Sequence, residues 1–148
     1  MELAYLGTAL QFGINLETQA GQLYQYLSQS AQDEEQKRII DQLLKSNEKR
    51  KRKLERVYTD NIYSDQDTGI FEPIPSIEGD DYLVKISIEE DYIGLLVHIV
   101  ELEEKCQRFY YRLVEVLQHR RQSLSRDFEQ MAQENHDRFL VIKSIYKC

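Results

Sequence analysis

Apolar residues recur at steps of three and four along four stretches of the chain. The first runs Leu3, Leu6, Leu10, Gly13, Glu17, Ala20, Tyr24, Leu27, Ala31, and the second Ile40, Leu43, Asn47, Arg50, Leu54, Val57. The third runs Tyr92, Leu96, Ile99, Glu103, Cys106, Tyr110, Leu113, Leu117, and the fourth Leu124, Phe128, Met131, Asn135, Arg138, Ile142, Ile145. Such spacing puts each set on one face of a helix. It predicts helices over about 3–30, 33–59, 87–118 and 123–146, hence an all-α fold in which four faces bury one another as a four-helix bundle. The links around Ser30–Asp33 and His119–Ser123 are short enough to make antiparallel neighbours, and Asp33 is placed to cap the second helix. Residues 60–86 carry no period and hold both prolines. They read as one long crossover joining two helix hairpins, the whole forming a single domain over 1–148.

Composition narrows the class. With 148 residues, 6 Gly and 2 Pro, the chain suits one helical domain and not a turn-rich β protein. No apolar run reaches the length of a membrane span, and the first residues lack a basic, cleavable leader, so a cytoplasmic protein without membrane association is expected. Cys106 and Cys148 form neither a disulfide framework nor a metal knuckle; Cys106, on a core face, reads as a small hydrophobe. The net charge of −7 is uneven: zero over 1–60, −8 over 61–100 and +1 over 101–148. An acidic chain without a sustained basic face argues against nucleic acid as partner. The run Lys49–Lys53 with Arg56 reads as a solvated helix face.

Four faces that ought to be wholly apolar are interrupted near their middles by Glu17, by Asn47 and Arg50, by Glu103, and by Asn135 and Arg138. Buried unpaired, each charge would cost several kcal/mol, so these groups are expected to meet one another, a ligand or water. The interruptions also repeat. Glu17-x-x-Ala20-x-x-x-Tyr24 returns 86 residues on as Glu103-x-x-Cys106-x-x-x-Tyr110, and Asn47-x-x-Arg50 returns 88 residues on as Asn135-x-x-Arg138. A duplicated hairpin with one polar cluster per copy accounts for this pattern.

These motifs resemble the rubrerythrin branch of the ferritin-like superfamily over essentially the whole chain; the segment 101–110, ELEEKCQRFY, is similar to that family's third helix. The resemblance implies a ferritin-like bundle and, in the family, a site for two iron or manganese ions built from one Glu of each first helix and a Glu-x-x-His of each second helix. Glu17 and Glu103 match the first-helix ligands, with Tyr24 and Tyr110 flanking. At the Glu-x-x-His positions stand Asn47-x-x-Arg50 and Asn135-x-x-Arg138. Arginine offers no lone pair to a cation, and an amide oxygen is a weak neutral ligand. Shifting the register to Glu48-x-x-Lys51 and Glu134-x-x-Asp137 turns the side chains off the seam. His98, His119 and His136 stand beside the seam or in a turn.

The replacements form a coherent set. Glu17 would pair with Arg50 and Glu103 with Arg138, while Asn47 and Asn135 stand where bridging carboxylates faced each other. The reading is a metal-free, non-catalytic scaffold, binding or interaction module with no cofactor. The alternative is a diiron oxidoreductase acting on peroxide or oxygen, or weak iron or manganese binding through Glu17 and Glu103. A homodimer is a further expectation, with Tyr5, Phe12, Tyr26, Phe109 and Tyr111 as outer anchors; the same aromatics also fit packing against the crossover.

Overall fold

The computed structural model describes residues 1–62, 69–86 and 91–146. A short strand β1 (Glu2–Tyr5) leads into α1 (Leu6–Ser30) and α2 (Glu34–Ile62); the crossover contributes β2 (Pro73–Glu78), and α3 (Tyr92–Leu117) and α4 (Gln122–Tyr146) complete the chain. Four long helices with their seams turned inward make an all-α bundle. Nearly every seam position named above is buried, from Leu6 and Leu10 in α1 to Ile142 and Ile145 in α4. The core is therefore continuous from end to end.

Local chemistry sets the ends of the elements. Asp33 Oδ1 accepts from the Gln36 amide at 2.8 Å, satisfying an orphan donor at the start of α2. Asp91 Oδ1 does the same for Gly94 at the start of α3, also at 2.8 Å. The beginning of α1 is held by Thr8, whose hydroxyl donates to the Tyr5 carbonyl at 2.8 Å. The Leu6 amide donates to the Glu72 carbonyl of the crossover at 2.9 Å.

Three sequence expectations are corrected. Residues 3–5 are extended, not helical, because the crossover offers them a partner: β1 and β2 pair antiparallel, with Leu3 opposite Ile77 and Glu2 opposite Glu78. The crossover begins later than residue 60, because α2 runs on to Ile62, and it holds a strand that no period announced. Its strand carries only two buried side chains, Ile74 and Ile77, too few to register as alternation, and its prolines are tolerated because a two-stranded ribbon is all edge. Third, α3 begins at Tyr92 and not at 87; positions 87–90 lie outside the described residues, as does Cys148. Gly69 turns the chain into the ribbon with φ of +59°, and a Cβ there would stand 2.1 Å from the Asn61 carbonyl oxygen. Only glycine fits.

The ribbon and the short helical turn at Gly79–Tyr82 cover one face of α1 and α3. Phe12 and Phe109, expected as outer anchors of a dimer, are consequently buried. Their ring centroids lie 5.1 Å apart, and Tyr82 of the crossover meets Phe109 edge-on at 5.4 Å. Tyr5, Tyr26 and Tyr111 do stay exposed. Among the described residues no helix is long and apolar enough to cross a membrane.

Candidate functional site

All six polar seam residues are buried at the centre of the bundle: Glu17, Asn47 and Glu103 at 1% exposure, Asn135 at 1%, Arg50 at 4% and Arg138 at 5%. They converge, together with Tyr24 and Tyr110. Helical spacing explains the convergence, since each residue occupies the seam of its helix midway along.

Each oxygen of the two glutamates accepts at least one hydrogen bond. Glu17 Oε1 accepts from the Tyr110 hydroxyl at 2.6 Å and from Arg50 Nη1 at 3.3 Å. Its Oε2 accepts from Asn47 Nδ2 at 2.6 Å. Glu103 Oε1 accepts from the Tyr24 hydroxyl at 2.6 Å, and its Oε2 accepts from Asn135 Nδ2. The tyrosines thus cross over: each serves the glutamate of the other repeat. The asparagines do not: instead of facing each other, each donates to the glutamate of its own repeat.

The two arginines differ. Arg50 pairs with Glu17, donates through Nη1 to Asn135 Oδ1 at 2.7 Å and through Nη2 to the Met131 carbonyl at 3.0 Å. Glu134 lies 3.6 Å from its Nη2. Arg138 stands 3.7 Å from Glu103 and 3.9 Å from Glu17, but donates only to Ser46 Oγ, at 2.8 Å. Its Nε and Nη1 are buried without a hydrogen-bond acceptor.

The electrostatics follow the contacts. Burial, reinforced by the neighbouring Glu103, pushes the Tyr24 hydroxyl well above its ordinary pKa. Burial and Glu17 do the same for Tyr110. Burial and both carboxylates hold the Cys106 thiol protonated. Desolvation, the largest single influence, works against the Arg50 charge, but Glu17, Tyr110, Glu103 and Glu134 together outweigh it and the guanidinium is held above its usual value. The layer is a neutral assembly of two carboxylates, two guanidiniums and their hydrogen-bonding neighbours, of the kind that survives burial only when nearly every group has a partner.

A divalent-cation site does not fit these residues. Every oxygen of the two carboxylates already faces an O–H or N–H donor, no imidazole enters the layer, and two guanidiniums lie among the oxygens. Among the described residues no group of three or more His, Cys, Asp or Glu side chains is gathered for a metal. His119 and His136 are exposed and His98 half-buried.

Two residues of the site escaped the reading of the seams. Gly21 lies against Asn47, where a Cβ would come 2.8 Å from Oδ1. Ser46 receives Arg138. Both break the internal repeat: Gly21 corresponds to Gln107 and Ser46 to Glu134. Comparing the two halves beyond the seam would have marked them.

No protein-family model and no curated protein matches the chain. A solved structure is similar to it: a hypothetical protein from Pyrococcus furiosus, 20% identical, with a TM-score of 0.71, the likeness covering 96% of this chain and 88% of that one. At that identity the likeness speaks to fold alone, and the two chains share their overall arrangement over almost their entire lengths.

Proposed function

We propose that this chain is a ferritin-like protein related to the rubrerythrins, built of two antiparallel helix hairpins, in which ion pairs and amides stand where the family carries two metal ions. It acts as a non-catalytic binding or interaction module. Contacts of Ser28 with Asp41 across the first short link, and of Glu17 with Asn47 further along, support the antiparallel course of α1 and α2. Ser125 with Val114, and Asn135 with Glu103, support that of α3 and α4. The observation that carries the functional reading is that every carboxylate oxygen of Glu17 and Glu103 already accepts a hydrogen bond from the protein.

Elemental analysis of protein purified without a metal-affinity tag tests this directly. Iron and manganese well below stoichiometric are expected, and two ions per chain would overturn the proposal. A restored variant probes the lineage: Asn47→Glu, Arg50→His, Asn135→Glu and Arg138→His together. Four carboxylates in one layer repel and desolvate, so the metal-free variant should melt below the parent. Divalent iron, manganese or cobalt should return the lost stability by binding only the folded state. A melting temperature indifferent to all three metals would show that the positions do not form the ancestral site.

A further inference from the structure

The helices α2 and α4 meet least closely of the neighbouring pairs. Between them opens a cleft of about 440 Å³ whose walls include Lys45, Ser46, Lys49, Arg50, Lys53 and Glu134. That is within the range of small-molecule sites, roughly 300–1,000 Å³. Four cations face one carboxylate. Lys53 leans on Asp127 at 3.9 Å and Glu134 on Arg50 at 3.6 Å. Lys45 and Lys49 have no ion-pair partner among the described residues. Their i, i+4 spacing puts the two side chains on one face of the helix, with Cβ atoms roughly 6 Å apart.

The floor of the cleft adds a second feature. Ser46 Oγ accepts from Arg138 Nη2 at 2.8 Å, which leaves the hydroxyl proton to be donated into the cleft. Behind it lies the Arg138 guanidinium, 5% exposed, with Nε and Nη1 unsatisfied. The internal repeat gives the reason. Where the second copy places Glu134 beside Arg50, the first places Ser46 beside Arg138. One arginine has a carboxylate at the rim, and the other has a hydroxyl and an open cleft.

We propose that this cleft binds a small organic polyanion, a phosphate ester or a polycarboxylate, through the Lys45 and Lys49 ammonium groups and the Ser46 hydroxyl, with Arg138 as the fixed positive charge behind Ser46. The inference stands apart from the metal-free lineage proposed above, because its binding groups are Lys45, Lys49 and Ser46, none of which occupies a position compared with the family's metal ligands. The cleft is a local gathering of cations on a chain whose net charge is −7, which favours a small anion over a nucleic acid.

Calorimetric titration of the full chain with pyrophosphate, citrate and a short single-stranded DNA tests it. Binding of pyrophosphate or citrate with a rise in melting temperature is expected, and which of the two binds tighter separates the phosphate from the carboxylate class. Lys45→Gln with Lys49→Gln should weaken binding at least about tenfold at unchanged melting temperature, as the loss of charge-assisted hydrogen bonds requires. Ser46→Glu copies the other repeat: it should abolish binding while raising the melting temperature, since the new carboxylate satisfies Arg138. A gain in stability with loss of ligand cannot arise from misfolding. Absence of binding by both anions, affinity untouched by either variant (an adventitious ion only), or a preference for the DNA would each overturn the proposal.

Discussion

At the scale of single residues, the two arginines of the layer are chemically alike and structurally unequal. Arg50 donates to a carboxylate, an amide oxygen and a backbone carbonyl, whereas Arg138 donates to one hydroxyl. Truncating Arg50 to Met leaves Glu17 charged and buried and strips acceptors of their donor, so a loss of about 3–5 kcal/mol is expected in chemical denaturation. Arg138→Met should cost clearly less, since Glu103 keeps both Tyr24 and Asn135. Equal losses would mean that the carboxylates feel the two charges alike and that hydrogen bonding does not distinguish them. Exchanging Glu17 and Arg50 together for apolar residues does not dissolve the problem. Asn47 and Tyr110 would then lose the acceptor they share, and buried donors without partners are costly in their own right.

At the scale of elements, the ribbon of β1 and β2 decides where the crossover lies and what it covers. It seals Phe12 and Phe109 beneath the residues from Gly79 to Tyr82. Its entry depends on Gly69, whose left-handed backbone and contact with the Asn61 carbonyl exclude a side chain. Gly69→Ala should therefore loosen the ribbon more than the bundle. Amide hydrogen exchange should rise at Leu3, Tyr5 and Ile77 while the midpoints of α1 and α3 keep their protection. Unchanged protection at these strand amides would show that the turn contributes nothing to ribbon pairing.

For the whole molecule, the layer links stability to alkaline pH. Burial and the adjacent carboxylates raise Tyr24 and Tyr110 above the ordinary value of 10.0 in the folded state, while the unfolded chain ionises them normally. The stabilisation is complete below that ordinary value. It is lost as pH climbs past it towards the folded values, because only the unfolded state gives up the protons. Tyr24 and Tyr110 should ionise only as the helices melt, followed by tyrosinate absorbance and circular dichroism in one titration. Ionisation of every tyrosine with helicity intact would contradict the buried geometry.

The sequence by itself determined the helices, the seams and the residues of the polar layer, because a helix face is a local property written at steps of three and four. Asp33 as a cap and the pairing of Glu17 with Arg50 were legible for the same reason: each follows from position along a helix, whereas Arg138, expected on Glu103, stands near both glutamates and hydrogen-bonds Ser46. Tertiary structure alone decided the rest. Residues 3–5 became a strand because a partner far along the sequence, Pro73–Glu78, offered its edge, and no local pattern records a distant partner. The crossing of Tyr24 to Glu103 and Tyr110 to Glu17 depends on how α1 meets α3, and the unequal lot of Arg50 and Arg138 and the cleft beside Ser46 depend on how far α2 and α4 stand apart. That separation is set by the packing of every helix at once, not by the period of any one of them.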